Sequence, residues 1–201
     1  MNQTIKYPPE YYLSMIKYDT PFSFSRFGDG EVLCMFNSHL MSANCDGSEF
    51  SPVLIEPMKQ IFINKHNYYH CLLDCTFEPV FKDSVDKFKK FIDETCPDMP
   101  FYDGEVWQQM SFSGRITELV ETISSHDPVF VGGSHLSNIG KMKGFSNKPI
   151  QIVIPDVNAF YSINTIIEQI IDLYTSGSKM FLFSAGYSTK IIIDQLFPYL
   201  G

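Results

Sequence analysis

Apolar residues recur along the 201-residue chain at helical spacing in some stretches and as short continuous runs in others. Spacings of three and four residues predict helices over 8–18, 30–39, 51–65, 82–95, 112–125, 158–177 and 187–197. The short apolar runs predict strands over 21–27, 68–74, 127–133, 148–156 and 178–186. The second half alternates strand and helix, which indicates an α/β fold with a mostly parallel sheet and helices on both faces.

Small and polar residues follow several of the predicted strands. GGSH (132–135), PDVN (155–158) and SAGYST (184–189) each come after an apolar run, and FGDGE (27–31) follows the first strand. In open parallel sheets, ligands bind outside the carboxyl ends of the strands. We therefore expect the functional site where these four loops meet.

The composition is that of a globular protein: 44% hydrophobic, 19% charged, with a net charge of -8 and a pI near 5.0. Neither a repeat nor a linker interrupts the chain, so we expect one domain over 1–201. No window is apolar enough for a membrane span, and the first residues lack a signal-peptide pattern. Five cysteines without a CxxC pair favour reduced thiols and a cytoplasmic location. Richness in Phe, Tyr, Ile, Asn and Lys fits an AT-rich genome, so we expect a bacterial or a phage-infected cell.

The tripeptide Asp29-Gly30-Glu31 carries two carboxylates at a predicted strand-to-helix turn. Such a pair can hold Mg²⁺ or Mn²⁺ beside a diphosphate, with Arg26 adding donors to the same anion. Alternatively, this is a solvated turn in which Asp29 caps the following helix. The same DGE recurs at 103–105, where Asp103 and Glu105 form either a second acidic pair or a polar turn, and we favour the turn.

A histidine and an aspartate also lie at predicted strand ends. His135 could take a proton from an acceptor hydroxyl as a general base, and Asp156 has a similar position. The alternative for each is an ordinary hydrogen-bonded loop residue. Asp103 and Glu105 are further candidates for the same proton transfer.

SRFGDGE (25–31) resembles the signature of the GT-D-fold glycosyltransferases, an Arg-Phe-Gly followed by Asp-x-Glu. IPDVNAFYSINTIIEQII (154–171) and FLFSAGYSTKIIIDQL (181–196) are similar to later segments of that family, in the same order. Two features differ. The family's Gly-Pro-Thr-Ala is here Gly186-Tyr187-Ser188-Thr189, and the family continues with a further strand and polar tail that we expect to be missing after Gly201.

The resemblance implies a Rossmann-like glycosyltransferase domain that uses a divalent metal, Mn²⁺ or Mg²⁺, and a nucleoside-diphosphate sugar, with a UDP-sugar favoured. It implies that Asp29 and Glu31 hold the metal and the diphosphate with support from Arg26. The residues it places at or near the donor are Gly28, Gly30, Asn158, Gly186, Ser188 and Thr189. Whether a hexose or pentose moves, with inversion or retention, stays open.

We expect the acceptor to be a glycan or a glycoprotein sugar. The first alternative is a phage-type enzyme that glycosylates hydroxymethylated bases in DNA, with lysines in 82–90 and 141–148 as contacts. The acidic net charge makes a carbohydrate the favoured partner over DNA. A metal-dependent phosphoesterase and a non-catalytic nucleotide-binding module are alternatives of another class. An acidic, aromatic-rich domain is also compatible with a homodimer.

Overall fold

The computed structural model describes residues 4–36, 43, 47–72, 82–141 and 149–200. The strands are β1 (Phe24–Phe27), β2 (Tyr69–Leu72), β3 (Tyr102–Asp103), β4 (Val129–Gly133), β5 (Gln151–Ile154) and β6 (Phe181–Ser184). The helices are α1 (Pro9–Lys17), α2 (Asp29–Phe36), α3 (Ile55–Asn64), α4 (Lys82–Thr95), α5 (Val106–Phe112), α6 (Ile116–Ser124), α7 (Ile163–Thr175) and α8 (Ser188–Leu200). Single 3-10 segments lie at Pro52–Leu54, Ser134–Lys141 and Ala159–Ser162.

The strands form two parallel sheets, with the orders β1-β2-β3 and β5-β4-β6. In the first sheet Phe27 pairs with Leu72, which in turn pairs with Asp103. In the second sheet Gly132 of β4 pairs with Ser184 of β6. The α/β class with parallel strands is confirmed, and the carboxyl ends within each sheet lie at one edge.

Helix α8 joins the two halves of the molecule. A first apolar core packs around Phe27, Phe62 and Phe88, and a second packs around Val131 and Ile170. Ile191 and Ile193 of α8 belong to the first core, whereas Ile192 and Leu196 belong to the second. Because adjacent positions of one helix serve both cores, the amino end of α8 is fixed relative to both sheets.

Some predicted boundaries were wrong. The single helix predicted over 112–125 is interrupted: α5 ends at Phe112, Gly114 has a left-handed backbone with φ +74°, and α6 begins only at Ile116. No pattern along the chain predicts the two-residue strand β3. The helix predicted over 158–177 begins with the 3-10 segment before α7.

Parts of three predictions lie outside the described residues: 37–39 of the second helix, 73–74 of the second strand and the lysine-containing segment 142–148. Within the described part of the chain, helices are too short or too polar to cross a membrane.

Candidate functional site

The carboxyl ends of β1 and β6 are joined by an ion pair. Lys190 Nζ lies 2.5 Å from Glu31 Oε1, and these side chains are 12% and 11% exposed. Glu31 is in the first turn of α2, just after β1, and Lys190 is in the first turn of α8, just after β6. The pair therefore fixes two of the predicted site loops against each other.

Glu31 also caps its own helix. Its Oε2 accepts a hydrogen bond of 2.8 Å from the backbone N–H of Gly28, and the Val32 N–H donates back to the Gly28 carbonyl. This is the reaching-back half of a capping box, and it explains why the chain turns from strand to helix at Gly28. Burial alone would raise the pKa of Glu31, but the Lys190 ammonium and the Gly28 amide hold it below its usual range.

Asp29 and Arg26 are the more accessible charged residues at the end of β1. Asp29 is half-buried in the first turn of α2, and its carboxylate has no hydrogen bond or ion pair within the described residues. Arg26 is exposed, and its side chain runs past Gly104, where an added Cβ would lie 3.2 Å from Arg26 Cγ. Both groups are therefore open to a ligand, unlike Glu31. The buried Gly30 follows Asp29 in the helix.

The arrangement of Glu31 does not fit the role of a metal ligand. Oε1 holds an ammonium group and Oε2 holds an amide N–H, so a divalent cation would have to displace Lys190 against like-charge repulsion. In the part of the chain that the structure describes, no three His, Cys, Asp or Glu side chains cluster as a metal site would require. Asp29 alone is available, so metal binding at Asp29 and Glu31 stays a prediction.

The loop after β6 is held by its own polar groups. Gly186 has φ +54°, a left-handed conformation that favours glycine, and its carbonyl accepts a 3.3 Å bond from Lys190 Nζ. The Thr189 hydroxyl accepts a 3.3 Å bond from the Ala185 N–H, and Ser188 is buried. Of the predicted donor-site residues in this loop, Gly186 and Thr189 are the more open to a ligand, since both are only half-buried.

His135 and Asp156 meet at the carboxyl ends of β4 and β5. His135 Nδ1 lies 3.2 Å from Asp156 Oδ1, and both side chains are more than half exposed. The Ser134 N–H and hydroxyl also contact Asp156, and a Cβ on Gly133 would collide with both members of the pair. Hydrogen bonds from His135 and Ser134 hold the pKa of Asp156 below its usual range.

Because Asp156 is a carboxylate, it can only accept, and His135 Nδ1 carries the proton in this contact. Whenever the ring is neutral, this contact leaves Nε2 as the unprotonated nitrogen, as a general base requires. The strands place this pair beside the β6 loop, since Gly132 pairs with Ser184. The contact with Asp156 therefore orients the His135 ring in the way that a general base requires.

Asp103 has a structural role in its own turn. Oδ1 accepts a 2.8 Å bond from the Glu105 N–H, and Oδ2 accepts a 3.3 Å bond from Gln109 Nε2. A Cβ at Gly104 would lie 2.7 Å from the Leu72 carbonyl oxygen, so the turn also requires glycine. These contacts favour the turn interpretation of the second DGE over an acidic functional pair.

Asn158 connects two loops at the sheet edge. Its backbone is left-handed, with φ +57°, and its Oδ1 accepts a 2.9 Å bond from the Glu49 N–H. The neighbouring Phe50 packs against Tyr187, with 5.6 Å between the ring centroids. Asn158 therefore anchors residues 47–50 beside the β6 loop, which is a positioning role near the predicted donor site.

Lys190 is the residue that sequence reasoning missed. It lies one position beyond the Gly186-Tyr187-Ser188-Thr189 stretch, and only a lysine in the first turn of a helix after a strand could have signalled it. A lysine in the first turn of a helix interacts unfavourably with the helix dipole, so a lysine at this position indicates a compensating partner or ligand.

No model of a known protein family matches the chain, and neither does any curated protein. Solved structures do match. The selenomethionine-substituted structure of domain of unknown function 1792 is 22% identical, covers 97% of this chain and 75% of that chain, and has a TM-score of 0.69. A second structure, whose domain is described as having a distinct glycosyltransferase fold, is 21% identical with the same coverage and a TM-score of 0.68.

A third structure, described as a new glycosyltransferase from Streptococcus sanguinis, is 17% identical, covers 98% of this chain and 78% of that chain, and has a TM-score of 0.69. At these identities, the agreement concerns the backbone and not the individual site residues. The chain therefore has the fold of domain of unknown function 1792, a glycosyltransferase fold.

Proposed function

We propose that this protein is a glycosyltransferase that moves a sugar from a nucleoside-diphosphate sugar to an acceptor hydroxyl. The observation that carries the proposal is the meeting of the β1–α2 and β6–α8 loops through Glu31 and Lys190. It occurs at the carboxyl edge of parallel strands, where nucleotides bind in such folds. The neighbours described as glycosyltransferases share that fold over nearly the whole chain.

The residues divide into a donor side and an acceptor side. On the donor side, Arg26 and Lys190 supply positive charge, and Gly186 and Thr189 border the same loop. On the acceptor side, His135 Nε2 takes the proton of the attacking hydroxyl while Asp156 orients the ring. The acceptor oxygen bonds to the anomeric carbon as the bond from that carbon to the diphosphate breaks, and the nucleoside diphosphate leaves with both electrons of that bond.

A carbohydrate acceptor, such as a glycan or a glycoprotein sugar, is favoured over DNA. The net charge is -8, and lysines of α4 pair with acidic neighbours of the same helix, Lys82 with Asp86 and Lys87 with Asp83. Paired lysines leave little net positive potential for a phosphate backbone. A phosphoesterase would need more metal ligands than the described residues bring together.

Thermal unfolding with a nucleotide panel tests the proposal. UDP, GDP, CMP and dTDP are each added with EDTA or with Mn²⁺, and we expect one nucleoside diphosphate, UDP first, to raise the unfolding temperature. Asp29→Ala is compared with Asp98→Ala, an exposed aspartate in the turn after α4. Loss of an Mn²⁺-dependent shift in Asp29→Ala alone would support the metal prediction. No shift with any nucleotide in either buffer would contradict the proposed function.

A further inference from the structure

Lys190 has a bonding capacity that the described residues do not fill. An ammonium group has three N–H donors. The described residues occupy two of them, through Glu31 Oε1 at 2.5 Å and the Gly186 carbonyl at 3.3 Å. No described residue accepts from the third donor, and 12% of the side chain stays exposed at the sheet edge, where a ligand can reach it.

The position of Lys190 points to an anion as that ligand. It lies in the first turn of the 13-residue helix α8, whose amino end attracts negative charge and disfavours a cation. At this position the ammonium group is stabilised by the ion pair with Glu31 but disfavoured by the helix dipole. A lysine elsewhere on the exposed surface would not meet that unfavourable dipole. With a phosphate bound, the ammonium group and the helix amino end act on the ligand in the same direction.

We propose that Lys190, held in place by Glu31, is the cation that binds the diphosphate of the donor and neutralises it as it leaves, so that donor binding needs no divalent metal. This inference rests on the proposed function and specifies how its donor site works. During transfer, Lys190 keeps its proton and forms no covalent bond, and the acceptor proton passes to His135. Glu31 acts as a positioning residue, because it fixes the ammonium group between the two loops.

Two other arrangements make different predictions. In the first, Asp29 and Glu31 bind a divalent cation and Lys190 is displaced, so that nucleotide binding requires the metal. In the second, the Glu31–Lys190 pair only joins α2 to α8, so that nucleotide affinity follows the folded fraction of the protein. Replacing both residues of the pair in one variant separates an effect on binding from an effect on folding, because no unpaired charge is then left buried at the two positions.

The experiment compares the full wild-type chain with Lys190→Met, the double variant Glu31→Gln/Lys190→Met, and the control Lys87→Met. Lys87 also pairs with a carboxylate, that of Asp83, but on the exposed surface of α4. Calorimetric titrations use UDP, GDP and dTDP, each beside its nucleoside without phosphates, in EDTA and in Mn²⁺. Far-UV circular dichroism and unfolding temperatures identify the variants that are folded.

We expect the wild type and Lys87→Met to bind one nucleoside diphosphate equally well in EDTA and in Mn²⁺. In the folded double variant, that affinity should fall about ten- to hundredfold, as expected for one charge-assisted hydrogen bond. Affinity for the bare nucleoside should not change, since the loss concerns the phosphates alone.

Binding that appears only with Mn²⁺ would overturn this inference and leave the glycosyltransferase proposal standing. Undiminished diphosphate affinity in the folded double variant would also overturn it and assign the ion pair a purely structural role. No binding of any nucleotide by the wild type in either buffer would overturn both.

Discussion

Breaking the Glu31–Lys190 pair should cost far more stability than breaking a surface pair. Lys190→Met leaves the Glu31 carboxylate buried and, among the described residues, without a positive partner, with backbone N–H groups such as that of Gly28 still donating to it. Loss of one member of a buried pair costs about 3–5 kcal/mol. In a domain of this size, about 1 kcal/mol corresponds to roughly 2–4 °C, so the unfolding temperature should fall by roughly 6–20 °C.

The same substitution at Lys87 serves as the matched control. Its pair with Asp83 is exposed and spans one helical turn, so Lys87→Met should cost about 0.5 kcal/mol or less. In Glu31→Gln/Lys190→Met, the glutamine oxygen still accepts from Gly28, and we expect most of the lost stability to return. Differential scanning calorimetry and urea unfolding measure all four proteins.

The reasoning fails if Lys190→Met and Lys87→Met shift the unfolding free energy equally. It also fails if the double variant is no more stable than Lys190→Met, because removing both members of a coupled pair should recover the stability lost with one member. Either result would mean that the two loops are not held together by this ion pair.

Three further predictions concern other parts of the molecule. Burial raises the pKa of Asp194, so ionisation of its carboxyl group destabilises the fold as the pH rises above about 3.8. In urea unfolding, Asp194→Asn should therefore be more stable than the wild type at pH 7 and should show no gain in stability below about pH 4. Gly104→Ala places a methyl group 2.7 Å from the Leu72 carbonyl oxygen and should cost about 1–3 kcal/mol by the same assay. His135→Gln should lower the transfer rate about 10²–10⁴-fold without changing nucleotide affinity, and an unchanged rate would exclude His135 as the base.

The sequence predicted the parts of the fold that strong local patterns define. Continuous apolar runs identified β4, β5 and β6, and the strand-to-helix turn at Gly28 was visible from its glycines and carboxylates. In contrast, β3 has only two residues, too few for any pattern, and pairs with β2 through tertiary contacts. The α5–α6 break depends on the left-handed backbone of Gly114, which composition does not reveal.

The sequence predicted the sheet edge at which the candidate residues lie, but not which of their side chains contact each other. The carboxyl-end rule brought His135 and Asp156 to one edge, and the structure joins them by a 3.2 Å contact. The partner of Glu31 could not be predicted, because Lys190 reaches it only through the packing of α8 between two cores. Side-chain pairing across distant loops depends on that packing and leaves no periodic signal in the chain.

Calorimetric titration of the wild-type chain with UDP, GDP and dTDP tests the central claim most directly, namely that the joined loops bind a nucleoside diphosphate. The account predicts saturable binding of one of them, with weaker binding of its nucleoside. At a hundredfold excess over the Kd, stabilisation should be about 2.7 kcal/mol, seen as a rise of roughly 5–10 °C in unfolding temperature. Absence of heat and of stabilisation with all three, with EDTA and with Mn²⁺, would contradict the claim.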